Sequence, residues 1–128
     1  MRKESLTLWQ QAQHDLDTAQ KLLQIEVYYA SVFFAEQAAE KALKALYLEK
    51  KRRREFTHDL TELTGELGAP QNVLEAAAEL SPDYVISRYP DAANALPANL
   101  YTAQSAQMHL TYAIEVLEWV KKELKLET

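Results

Sequence analysis

Near the end of the chain, Ala103, Ala106, Leu110, Ala113, Leu117, Val120 and Leu124 recur at steps of three and four. On an α-helix that spacing lays all of them on one face, whereas a strand would scatter them over both. It predicts one long amphipathic helix from about Thr102 to Lys125. Trp9, Ala12, Leu16, Ala19 and Leu23 repeat the spacing. They predict a first helix over about 6–24, with Ser5 placed to cap its N-terminus. Glycine occurs only as Gly65 and Gly68, while Ala, Leu, Glu, Gln and Lys are plentiful. Few tight turns and many good helix formers leave no room for a sheet. The expected fold is all-α, an up-and-down bundle of four long-to-medium helices with one or two short ones, in one domain over 1–128.

The second helix, expected over about 27–51, is less simple. Phe34, Ala38, Ala42, Ala45 and Leu46 share one face, and its alanines let a neighbouring helix come close. Tyr29, Phe33, Glu36, Gln37, Glu40, Lys44 and Tyr47 line the other side. Aromatics on such a stripe call for a second contact surface, since large exposed apolar patches are uncommon. A subunit interface through Tyr29, Phe33, Glu36, Glu40 and Tyr47, an intramolecular neighbour and a ligand cleft all fit that need.

Between the second and last helices the chain is punctuated. Lys50 to Arg54 are five consecutive cations. The formal charge is −5 with them and −10 without, so an acidic body carries one basic knuckle. Thr57 is placed to cap a short helix that Gly68 and Pro70 end. Another short helix follows over 71–80, and Ser81-Pro82 opens a further turn. Then comes "SRYPDAANALP", with two of the four prolines. Pro90 stops the turn that carries Arg88 and Tyr89. The stretch reads either as a stiffened crossover or as a rim presenting Arg88, Tyr89 and Asp91 to a phosphate or base.

With no cysteine, disulfides, thiolate metal sites and cysteine nucleophiles are excluded, in keeping with a cytoplasmic location. The first residues lack an apolar run, so no secretory leader is expected, and no apolar stretch is long enough to cross a membrane. His14, His58 and His109 show no His-x3-His or His-Glu-x-x-His spacing, so no metal and no cofactor is expected. Glycine-rich phosphate loops and nucleophile elbows are absent as well. Within "KKRRREFTHD", Arg53 and His58 stand five apart. A proton-shuttling histidine beside arginines is what metal-free RNA cleavage needs, yet cations there also simply oppose the helix dipole.

Four segments in order, "LWQQAQHDLDTAQKLL", "FFAEQAAEKALKALYL", "THDLTEL" and "YVISRYPDAANALP" running into "YTAQSAQMHLTYAIEVLEWVKK", resemble the HEPN domain family. The resemblance implies a four- or five-helix bundle, homodimerisation, and pairing with a minimal nucleotidyltransferase in a toxin–antitoxin or defence module. Many relatives are metal-independent endoribonucleases with an Arg-x4-6-His motif near the last long helix. Here the next histidine after Arg88 is His109, 21 residues on. The resemblance therefore favours a non-catalytic module binding nucleotide, RNA or a partner through Lys41, Lys44, His58, Asp59, Arg88, Tyr89 and Asp91. An endoribonuclease toxin using Arg53, His58 or Arg88 is the rival reading, and a purely structural scaffold the third.

Overall fold

The computed structural model describes residues 1–126, and among them the regular structure is helical. Helix α1 (Lys3–Gln24) begins three residues earlier than its apolar seam suggests. Ser5 is not its cap. It lies buried inside the first turn, and its hydroxyl donates to Glu49 Oε2 at 2.8 Å. Glu49 also accepts the Arg2 backbone N–H, so a carboxylate from the far end of the next helix satisfies this N-terminus. Those two bonds hold the Glu49 carboxyl below its ordinary range.

Helix α2 (Tyr28–Lys51) runs back against α1, and Ser31 Oγ donates to the Ala19 carbonyl near the turn. It packs against the first helix, the last one and the short helices between them, which makes it the central helix. Its buried residues face every direction, among them Ala35, Ala38, Ala39, Ala42, Leu43, Ala45 and Leu46. A helix apolar all round belongs in a core, and five alanines allow close approach on several sides. That enclosure corrects the outward stripe. Glu36, Glu40 and Tyr47 are covered within the chain itself and offer no surface to a second copy, whereas Tyr29 and Phe33 stay at or near the surface.

After a left-handed Arg52, the knuckle leads into α3 (Leu60–Leu67). Asp59, not Thr57, is its N-cap, accepting the N–H groups of Thr61 and Glu62. Thr57 sits two residues outside and accepts from the Asp59 N–H. Gly68 ends the helix at φ +69°, a left-handed position that suits glycine. Helix α4 (Gln71–Leu80) follows, and the Ser81 hydroxyl accepts the Leu60 N–H at the head of α3 rather than capping what comes next.

The proline-rich crossover is more structured than a stiff linker. It holds α5 (Asp83–Ile86), α6 (Pro90–Ala93) with Pro90 in its first turn, and a 3₁₀ turn at Pro97–Asn99. Helix α7 (Ala103–Glu123) opens on a capping box between Thr102 and Ser105. Its predicted seam is buried from Ala106 to Val120. Lys50 Nζ bonds Glu123 Oε1 at 2.6 Å, so α2 and α7 finish at the same end of the bundle. Trp9 and Ala12 from α1, Leu60 and Leu63 from α3, and Val73 and Leu80 from α4 complete the core. No helix is long and apolar enough to cross a membrane among the described residues.

Candidate functional site

The single turn of α5 and the residues after it bring the chemistry together. Arg88 is exposed, and its Nε donates to the Tyr84 carbonyl at 2.8 Å. Its guanidinium lies 4.4 Å from the Tyr84 ring centroid, 4.8 Å from Tyr89 and 5.3 Å from Phe33. Three rings around one guanidinium hold it by cation–π attraction while its terminal nitrogens keep their donors. Among the described residues no carboxylate pairs with it.

Tyr84 also carries His58, stacked at 4.0 Å with the ring planes 12° apart. Both oxygens of buried Glu40 lie 3.1 Å from His58 Nδ1. An N–H at Nδ1 donating to that carboxylate leaves Nε2 as the accepting nitrogen. Lys44 pairs with the same carboxylate at 3.0 Å. Arg88, Tyr84, His58 and Lys44 thus form one connected surface over buried Glu40, drawn from α2, the 52–59 loop and the crossover.

Beneath it lies an acidic interior. Glu36 is fully buried, with Gln37 donating to Oε1 at 2.8 Å and no partner on Oε2. Burial, reinforced by the charges of Glu40 and Asp83 against the opposing Gln37 bond, pushes its carboxyl up to about 8. Asp83 accepts from Tyr101 Oη at 2.6 Å, and its Oδ2 stands 2.9 Å from His109 Nε2. His109 Nδ1 donates to the Ser105 carbonyl at 2.7 Å. Burial alone would lower the His109 pKa, but the Asp83 and Ser105 bonds outweigh it and raise it. Burial and the Asp83 bond likewise hold the Tyr101 phenol above its ordinary value.

The expected site residues divide. His58, Lys44, Arg88 and Tyr89 meet on the surface just described. Lys41 does not join them; it is tied to buried Asp15 on α1 and to Gln37. Asp59 is committed to the α3 N-terminus. Asp91 is exposed in the first turn of α6. Arg53 lies 5.3 Å from the Tyr47 ring, while His58 is engaged by Glu40 and Tyr84, so the two have different partners. The sequence reading missed Tyr84, Asp83 and Tyr101. "PDY" after Ser81 looks like an ordinary helix start, and only the fold reveals what its side chains reach.

Beside Arg88, Tyr29, Phe33, Pro90, Leu96 and Pro97 line a groove of about 410 Å³. Tyr29, Val85, Tyr89, Leu96 and Leu100 are all substantially exposed in this part of the chain. The family model for the HEPN domain matches residues 5–124. The chain belongs to the HEPN domain family. As a HEPN protein it carries a nucleotide-related module in the coarse sense of that family. It is similar to TT1696 from Thermus thermophilus, at 33% identity and a TM-score of 0.88, over 95% of this chain and 99% of that one. ST0689, described as an archaeal HEPN homologue, is 31% identical with a TM-score of 0.82, over 96% and 99% of the two chains. A HEPN domain protein of Thermotoga maritima, tm0613, is 25% identical with a TM-score of 0.74, over 94% and 99%. No curated protein sequence matches.

Proposed function

We propose that this HEPN chain is a small binding module that takes the phosphate and base of a nucleotide or RNA end on its Arg88 surface. It acts as a homodimer partnered with a minimal nucleotidyltransferase. The observation that carries the reading is Arg88 itself, exposed, without an acidic partner among the described residues, and surrounded by Phe33, Tyr84 and Tyr89. A guanidinium so placed offers planar donors to phosphate, and exposed Tyr89 offers a face for a base. Tyr29 and Phe33, on the adjoining groove, are where a second copy fits this reading, in place of the buried Glu36, Glu40 and Tyr47.

The test is a titration of purified protein with mononucleotides and a short RNA, beside a mass measurement in solution. Arg88→Ala is expected to weaken binding by about tenfold or more, since charge-assisted bonds contribute roughly 1.5–3 kcal/mol. Protein that stays monomeric and binds no member of the panel refutes the reading.

One observation favours a second reading, a metal-independent endoribonuclease. Glu40 orients His58, and Tyr84 joins His58 to Arg88 although no histidine follows Arg88 at the Arg-x4-6-His spacing. In that reading His58 Nε2 takes a proton from a ribose hydroxyl while Arg88 steadies the phosphate. RNA cleavage in the presence of a chelator, lost in His58→Ala, would decide for it.

A further inference from the structure

The 52–59 loop and the start of α1 bound a cavity that the groove beside Arg88 does not use. Its volume is about 460 Å³, inside the roughly 300–1,000 Å³ in which proteins hold small organic ligands. Leu8 of α1, Leu48 of α2 and Phe56 of the loop give it apolar walls, and Lys3, Lys44 and Arg54 stand around them. Phe56 is 76% exposed. A ring left in water at a cavity wall gains contact area when an apolar body fills the space beside it.

Of these cations only Arg54 is matched by a carboxylate of the cavity wall, Glu4, at 3.0 Å. The other wall carboxylate, Glu55, accepts the N–H groups of Phe56 and Thr57 in its own loop. Lys3 forms no ion pair among the described residues. Lys44 is largely buried, its side chain 15% exposed, and donates one N–H to Glu40. Its ammonium carries two more donors, which have no acceptor among the described residues. Donors placed so against an apolar wall call for an acceptor.

The cavity also opens at the head of α1. Lys3, Glu4 and Thr7 belong to the first two turns of that 22-residue helix, where the dipole favours negative charge. The lining therefore has two halves with different demands. A bare phosphate would leave the apolar walls wet, and a neutral apolar molecule would leave the Lys44 donors unpaired. Only a ligand that is acidic at one end and apolar along the rest answers both.

We infer that this cavity binds a small organic anion with an apolar body, its acidic head at Lys44 and Lys3 and its body between Leu8, Leu48 and Phe56. The site is separate from the groove beside Arg88, and it holds whether or not a nucleotide binds there. It meets the Arg88 surface at one point. Lys44 bonds the Glu40 carboxylate that also holds His58, so an anion competing for Lys44 changes the grip on that histidine.

Anilinonaphthalene sulfonate, a fluorescent aryl anion, titrated into the full chain is the direct test. Saturable emission is expected with a Kd of about 10⁻⁵ to 10⁻⁴ M, from the affinity per atom usual for a ligand of that size. Octanoate should displace the probe, and octanol should do so about tenfold less effectively, the worth of one charge-assisted bond. Lys44→Gln should weaken probe binding by about tenfold for the same reason. Phe56→Ala, at an exposed loop position, should weaken it by about fivefold. Leu96→Ala, in the groove beside Arg88, should leave it unchanged. The His58 ring resonances should shift as the cavity fills, and resonances that stay fixed would overturn the link to the Arg88 surface. No saturable signal up to about 1 mM overturns the site itself. So does binding lost in Leu96→Ala but kept in the two cavity variants, or displacement by octanol as strong as by octanoate. Probe affinity that falls as protein concentration rises also overturns it, because a second copy then fills the cavity.

Discussion

Replacing Glu36 by Gln isolates what a buried acid does to this bundle. Its folded carboxyl ionises at about 8 against an ordinary 4.5, chiefly through burial and then through Glu40 and Asp83. Between those values the folded chain holds a proton that the unfolded chain has released. Stability therefore falls as pH rises, by about 1.4 kcal/mol per pH unit. The contribution is whole below the unfolded value and has gone once pH passes the folded one. From the unfolded value of 4.5 up to neutrality the loss reaches about 3 kcal/mol, a large share of the roughly 5–15 kcal/mol that holds a typical domain together. Glutamine keeps the length, still accepts the Gln37 bond, and never ionises. Its advantage over wild type should therefore grow with pH, by about 3 kcal/mol between pH 5 and pH 8. Urea unfolding followed by circular dichroism at a series of pH values measures it. The slope matters, not any constant offset from the substitution. Parallel pH profiles for the two proteins would refute the reasoning, because Glu36 would then be ionising normally in the fold.

Three more outcomes can be checked. The His109 ring should titrate above 6.5 by NMR, and Asp83→Asn should bring it down. Its stabilising contribution is present below the unfolded pKa and is lost as pH rises through the folded one. Asp59→Ala removes the α3 cap and should cost about 1 kcal/mol in urea unfolding, whereas Thr57→Ala should cost less. Ala39→Leu forces a large side chain into the fully buried central helix and should destabilise by about 1–3 kcal/mol, seen as a lower midpoint.

The long helices were readable because their burial follows one periodicity. The seam from Ala106 to Val120 and the alanine faces of α2 map directly onto the core. Errors came where a distant group competes with a local one. Ser5 looks like a cap until Glu49, on another helix, takes over that task. Thr57 and Asp59 are both good caps by type, and only backbone geometry separates them. On α2 a single-helix projection assigns a polar side, but helices packed on several sides leave that side enclosed. Glu36 and Glu40 read as surface acids because a buried unpaired carboxylate is costly, and the fold meets that cost with His58, Lys44 and a held proton. Arg88 stood out in the sequence. Of its ring partners, Phe33 stood out only as an interface aromatic on α2, and Tyr84 looked like filler in a short turn.

Asp83 has a consequence for the continuity of the chain. It stands at the start of the exposed crossover, yet it is bonded to Tyr101 and His109, which lie beyond the 3₁₀ turn that ends it. Helix α7 brings its own capping box and its own buried seam. A protease cut near Asn94 would therefore sever the backbone without releasing the last helix. The fragments 1–94 and 95–128 should associate from separate polypeptides, and the gap at the crossover is a natural place to divide this protein into a complementing pair.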